Sequence, residues 1–208
     1  MRVLLVHPPH VGRLGLQDMV LVEPLALERL AAAVPDAEVA LLDMRLEPDL
    51  DTALADLPPD LIGLTCPFTT QVGALLSLAA RVKQACPRAF VLVGGHHPSL
   101  RPGDFLHPCV DAIACGEGEH TLAELVKCLR SGGEPARVPG LVLNRAGVQE
   151  ATAPRPAIAD LDSLPLPARQ LTARWRRRYH WMNQHPHALV ETSRGCPYRC
   201  NFCSVWRF

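Results

Sequence analysis

The sequence lacks a net charge: 21 lysines and arginines stand against 21 aspartates and glutamates in 208 residues. Bulk charge therefore gives no reason to expect nucleic acid or an anionic membrane as a partner. It also lacks a long hydrophobic run. The opening "MRVLLVHPPH" is too short in apolar residues for the core of a secretory signal. No later stretch reaches the roughly 18 uncharged apolar residues of a membrane span. The expectations are no membrane span and a cytoplasmic location. No G-x-x-x-x-G-K-[ST] occurs, which excludes P-loop nucleotide chemistry. The eight cysteines come without a signal peptide, so they read as thiols in a reducing compartment and not as a disulfide framework. Cys66, Cys86, Cys109, Cys115 and Cys128 are scattered and fit buried, inert thiols. Only Cys196, Cys200 and Cys203 cluster.

What is present is apolar residues, 48% of the chain, enough to bury a core. They fall into an alternating order. Apolar runs at 2–6, 38–44, 60–66, 89–95 and 110–116 predict five strands. Helical spacing predicts helices over 23–34, 49–57, 70–85 and about 119–131. Strands alternating with helices mean parallel βαβ units, and solid apolar runs mean a sheet covered on both faces. The fold class is α/β, a doubly wound, Rossmann-like or flavodoxin-like five-stranded domain over 1–135. Residues 136–186 follow as a β-hairpin turned at Arg145-Ala146-Gly147 and a proline-rich linker, and 187–208 open a further domain with a strand at 187–193. The basic, aromatic stretch 172–181 reads as a connector packed on a neighbouring domain, not as a nucleic-acid patch.

Ligands of open parallel sheets bind at the carboxyl ends of the strands. Unusual residues collect there. After the first strand stand His7, Pro8, Pro9 and His10. Thr65, Cys66, Pro67, Phe68, Thr69 and Thr70 follow the third strand, and Gly94, Gly95, His96, His97 and Ser99 the fourth. The fifth leads into Gly116, Glu117, Gly118 and Glu119. Glycines admit a ligand to backbone N–H groups, and hydroxyls and helix starts suit polar ligand groups. Such turns also collect these residues for capping alone. "GEGEHT" is a partial G-x-G-x-x-G with Thr121 at its last position and follows the wrong strand for a dinucleotide site.

Three thiolates on one short loop can bind a soft metal. A closed zinc site needs a fourth ligand, for which His185 and His187 are at hand. An iron–sulfur cube can take three cysteines and keep one iron open. "RGCPYRCNFCS" resembles the radical S-adenosylmethionine (SAM) signature C-x₃-C-x-Φ-C, with Phe202 as the aromatic. "MRVLLVHPP", "DLIGLTCPFTT", "VLVGGHHPSLRPGDF", "VDAIACGEGE" and "ADLDSLPLPARQL" precede it in that order. Together they resemble the N-terminal half of a cobalamin-dependent radical SAM protein, across essentially the whole chain.

The resemblance implies cobalamin held by the rim loops, a [4Fe-4S] cluster on Cys196, Cys200 and Cys203, and SAM on the open iron with Phe202 beside its adenine. It implies a methyltransferase that uses methylcobalamin and a 5′-deoxyadenosyl radical on a small-molecule substrate, with flavodoxin or ferredoxin as reductant. Ring-forming enzymes of tetrapyrrole synthesis share the pattern. No Asp-x-His occurs, so the histidine that ligates cobalt in methionine-synthase-like domains has no counterpart. Only the first strand and cluster loop of a TIM barrel are expected, as in a truncated product or in half of a split enzyme completed by a second chain. The alternatives are a cobalamin carrier without catalysis, a methylthiotransferase-like enzyme with a second cluster on Cys66, Cys109 and Cys115, and a zinc module.

Overall fold

The computed structural model describes residues 1–11, 19–56 and 58–207. Leu57, the last residue of the expected second helix, lies outside them. The elements are β1 (Arg2–His7), β2 (Val20–Leu21), α1 (Leu25–Ala32), β3 (Glu38–Asp43), α2 (Leu50–Asp56), β4 (Leu61–Thr65), α3 (Val72–Ala85), β5 (Phe90–Gly94), α4 (His96–Leu100), β6 (Ala112–Ala114), α5 (Gly118–Arg130), β7 (Leu141–Arg145), β8 (Val148–Ala151) and β9 (His180–Trp181). Helix α1 starts beyond Pro24, whose carbonyl takes the first amide bonds, and stops short of Pro35. Helix α3 buries the stripe Leu75, Leu78, Ala79 and Val82. Helix α5 buries Leu122, Leu125 and Val126 and ends where Gly132 turns left-handed at φ 67°.

Strands β3, β1, β4, β5 and β6 lie side by side in that order, all parallel. This is the doubly wound arrangement expected from the alternation of strands and helices. The chain runs outward from β1 to β3, then returns to β4 on the other side of β1, so the order reverses at β1. Successive strand residues serve opposite faces. Val3 and Leu5 join Leu27, Ala31, Leu122 and Leu125 on the face covered by α1 and α5. Leu4 and Val6 join Leu50, Leu75, Ala79 and Val82 under α2 and α3. Each fully buried Leu or Val contributes on the order of 1.5–3 kcal/mol of hydrophobic transfer, which makes β1 the spine of both cores.

The hairpin extends the sheet: β7 pairs antiparallel with β6, and β8 with β7. Its turn places Ala146 (φ 49°) and Gly147 (φ 79°) in the left-handed region, the geometry that matches strand twist. The proline-rich stretch is ordered by contact. Arg155 reaches Glu124 and Thr121, and the Ala168 amide donates to the Glu28 carbonyl at 3.0 Å. The basic stretch packs on the same domain, with Trp175 and Tyr179 buried in the α1–α5 core and its arginines outward.

One expectation fails. Residues 187–193 form no strand. Among the described residues no strand lies alongside to complete a ladder; its amides bond singly, His187 to the Tyr179 carbonyl at 3.0 Å and Leu189 to the Glu23 carboxylate at 2.6 Å.

Tyr179 seals a buried polar knot at the carboxyl ends of β1 and β3. Its hydroxyl donates to Asp43 Oδ2 at 3.1 Å, and Arg45 grips both Asp43 oxygens at 2.8 and 2.6 Å. Burial opposes the Asp43 charge, yet Arg45 prevails and holds the carboxyl below its usual range. His7 is lowered to about 4, first by burial and then by the Arg45 charge. Between about 4 and 6.5 the unfolded chain takes up a proton at His7 that the folded chain refuses, so stability falls as pH drops through that window. Asp43 adds a loss at lower pH, as acid reaches its depressed folded value. Urea unfolding is expected to show Asp43→Ala losing about 3–5 kcal/mol, because Arg45 is left buried and unpaired. Tyr179→Phe loses about 1–2 kcal/mol, and His7→Gln flattens the pH slope between 6.5 and 4. An unchanged slope would contradict the assignment to His7.

Candidate functional site

The core on the α1–α5 face has a gap. Between those two helices, at the carboxyl ends of β4, β5 and β6, lies a cavity of about 750 Å³. That is the size of an organic-ligand pocket, far above the voids that close packing tolerates. Its floor is made of strand residues that carry little or no side chain: Gly63, Gly94 and Ala114, beside Leu5 and Leu92. A Cβ on Gly63 would come to 2.8 Å from Leu5 Cδ2, so a larger residue there drives one side chain or the other into the space. A lone glycine inside an apolar strand run, as in "DLIGLTC", signals a close approach of this kind, and the sequence reading did not use it.

The rim is built from turns that lock one another. Gly95 sits at φ 112°, where a Cβ would press within 3.1 Å of Thr65 Oγ1. Cys66 donates its amide to the Gly94 carbonyl at 2.8 Å, and Ser99 Oγ accepts from the Gly116 amide at 2.9 Å. Of the residues expected at the site, Thr65, Gly94, Gly95, His96, Gly116, Glu117, Gly118 and Glu119 line this one cavity.

The others are placed elsewhere. His7 turns into the Asp43–Arg45 knot, its Nδ1–H donating to the Pro8 carbonyl at 2.9 Å, and neither Pro8 nor Pro9 reaches the lining. Cys66 is buried in the core under α2 and α3, donates its thiol to the Phe68 carbonyl, and is pushed up to about 11 by burial. Pro67 follows it away from the cavity. Thr69 donates to His97 Nδ1 at 3.1 Å, and His97 Nε2–H donates to Asp104 at 2.9 Å, which ties two turns together outside the lining. For Cys66 the cause is strand alternation: Thr65 faces the cavity side of the sheet and Cys66 the other, whereas His7 lies on the cavity side of β1 but is drawn into the Asp43–Arg45 knot.

The outer wall comes from the segment that leads into the cysteines. Leu189 to Gly195 and Val205 line the cavity. Arg169 holds this segment by donating to the Leu189 carbonyl at 2.7 Å while paired with Glu23. Arg29 on α1 pairs with Glu191 at 3.1 Å. Arg194 pairs with Glu117 at 2.8 Å, Glu119 at 2.5 Å and Glu191 at 3.1 Å. Burial works against its charge, but the carboxylates of Glu119 and Glu117 more than offset that and keep it a firm cation. Farther on, His96 Nε2 meets Ser204 Oγ at 2.8 Å. Arg29, Glu191 and Arg194 went unread in the sequence, although an arginine two residues before the first clustered cysteine was a signal.

Cys196 and Cys200 are exposed, Cys203 is half-buried, and all three are free thiols. Among the described residues no three His, Cys, Asp or Glu side chains converge closely enough for a metal. This holds for the terminal three and for Cys66, Cys109 and Cys115 alike. The two sets differ in what surrounds them. Cys66 is locked in a core, whereas the terminal loop is largely exposed and turns on a Cys203 amide bond to the Cys200 carbonyl at 3.2 Å. Three free thiols on such a loop, two of them exposed, are a donor set that a cluster can gather on binding. Phe202 is 90% exposed and does not touch the cavity. No helix among the described residues is long and apolar enough to cross a membrane.

Residues 20–126 match the B12 binding domain family. The chain is 33% identical to the hopanoid C-3 methylase of Methylococcus capsulatus, over all of this chain and 40% of that protein. It is 27% identical to the anaerobic magnesium-protoporphyrin IX monomethyl ester cyclase of a Synechocystis species, over 98% of this chain and 42% of that protein. The solved cobalamin-dependent SAM radical enzyme OxsB with aqua-cobalamin bound superposes with a TM-score of 0.74 at 25% identity, covering 97% of this chain and 28% of that one. The chain thus spans less than half the length of these relatives.

Thiol labelling checks the contrast between the cysteines. Native protein is expected to give up Cys196 and Cys200 to a maleimide within minutes, and Cys66 only after denaturation. Rapid native labelling of Cys66 would contradict its buried, proton-retaining state.

Proposed function

We propose a function from the family as premise: the chain belongs to the B12-binding domain family, among the cobalamin-dependent radical SAM proteins. It binds cobalamin in the cavity between α1 and α5 and serves as the cofactor-presenting part of a methyl-transferring enzyme. One observation carries this reading. A single cavity at the carboxyl edge of the sheet is walled on one side by the B12-binding domain and on the other by the segment that runs into Cys196, Cys200 and Cys203.

The residues fit the cofactors by their chemistry. Gly63, Gly94 and Ala114 leave a slot open against the strands, wide enough for part of a large ring-bearing ligand. Gly95 and Gly116 bring backbone to its edge with no side chain in the way, and Thr65 offers a hydroxyl. Leu25, Leu30 and Leu122 supply apolar walls that exclude water. His96 is engaged with Ser204, in keeping with a site that lends cobalt no histidine. Cys196, Cys200 and Cys203 are the three thiolates for a [4Fe-4S] cluster, with its open iron for SAM. When bound, cobalamin carries the transferable methyl group, and the cluster with SAM supplies the radical that prepares the acceptor carbon. The chain's own part is to hold, orient and shield.

Anaerobic reconstitution with iron, sulfide and hydroxocobalamin tests this reading. Corrinoid absorbance is expected to stay with the chain through gel filtration, with about four irons per chain. Gly63→Val is expected to lose the corrinoid and keep the iron. Cys196→Ala, Cys200→Ala and Cys203→Ala together reverse that outcome. Wild-type chain that emerges without corrinoid would remove the cobalamin reading, and zinc in place of iron would remove the cluster.

A further inference from the structure

The segment before the cysteines has no regular structure, yet it holds one course along the cavity. Its anchors are ionic. Arg194 reaches into the B12-binding domain, where its side chain is 18% exposed, while those of Glu117 and Glu119 are 13% and 6% exposed. Glu117 stands at the N-cap position of α5, and Glu119 in its first turn. The other oxygen of Glu117 accepts from the Ile158 amide of the connector, so this carboxylate joins three parts of the chain. Glu191 lies between Arg194 and Arg29, which extends the network from α5 across the cavity mouth to α1. Three carboxylates and two guanidiniums thus bridge α1 and α5, the two helices that frame the cavity.

Glu117 and Glu119 had been candidates for contact with the cofactor. Their carboxylates are spent on Arg194. A ligand in the cavity meets an arginine-bound wall, not free acid groups. An ion pair this far from water is also costly to half-remove, since the partner left behind stays buried and charged. A surface pair would have little such hold.

We propose that Arg194 is a positioning residue. Clasped by Glu117 and Glu119, it seats residues 189–195 as the outer wall of the cavity and fixes the cysteine loop beside whatever the cavity holds. The proposal rests on the cobalamin reading for the identity of that ligand, but the clasp itself does not. In function, the clasp sets the approach of the cluster loop to the bound corrinoid. Arg194 contacts no reacting atom. It acts through the segment it holds.

The test uses the full chain with Arg194→Gln, the pair Glu117→Gln/Glu119→Gln, and all three changes together. Amide hydrogen exchange of the ligand-free protein is read at residues 189–195. Arg194→Gln and the glutamate pair are each expected to speed exchange there about tenfold, with β1, β4 and β5 unchanged. The triple variant is expected to add nothing, because one shared interaction has been removed. Arg194→Lys, which keeps the charge and loses the fork, falls between. In loaded protein, hydroxocobalamin is expected to leave about tenfold faster from the clasp variants. Wild-type exchange rates in both variants would overturn the proposal. Equally faster exchange throughout the sheet would overturn it too, by showing a general loss of stability. Wild-type protein that retains no hydroxocobalamin would sink the cofactor reading alone, with the clasp still decided by the ligand-free exchange.

Discussion

The structure turns on a place where packing is withheld. A parallel sheet must cover both faces with apolar side chains, and this one does so almost everywhere. On the α1–α5 face, near the carboxyl ends of β4 to β6, the floor is Gly63, Gly94 and Ala114, and the space above stays open. Empty volume of that kind costs stability, because the surrounding atoms lose their dispersion partners. A fold keeps such a gap when a ligand fills it. Strand residues with larger side chains would close the core and abolish the site.

The remaining features serve that gap. Reversal of strand order at β1 brings helices to both faces and leaves α1 and α5 to frame the opening. The connector then crosses the α1 side, anchored by Trp175, Tyr179 and the bonds of Glu23 and Glu28 to Arg169 and Thr172. Burial pushes Glu28 toward its protonated form, against the Thr172 bond, while nearby Glu23 adds to the rise. By the time the chain reaches Leu189 it has been steered to the cavity mouth. In the proposed reading this brings a cluster loop to the edge of the sheet that holds the corrinoid.

Much of this was legible in the residues. β1, β3, β4, β5 and β6 were plain, because strands buried on both faces read as unbroken apolar runs. The hairpin was plain from Ala146-Gly147, but its place on the edge of the sheet was not, since pairing of β7 with β6 leaves no local trace. Trp175 and Tyr179 sit among arginines, and charge patterning hid their burial. Residues 187–193 carry strand-forming side chains, yet a strand exists only with a neighbour to bond. The residues after β4 divided for a geometric reason. Residues after a strand end are adjacent in sequence but can face opposite sides of the sheet, so Thr65 lines the cavity while Cys66, its neighbour, is sealed in the other core. The role of Arg194 was invisible because its partners lie 75 and 77 residues away.

A crystal structure of the chain grown with hydroxocobalamin tests the central claim most directly. The account predicts corrinoid density across the carboxyl ends of β4, β5 and β6, entering the slot over Gly63 and Ala114 and bounded by Leu189 to Arg194. Corrinoid found instead on the α2–α3 face, beside Thr69 and His97, with the slot over Gly63 closed by its own side chains, would contradict it.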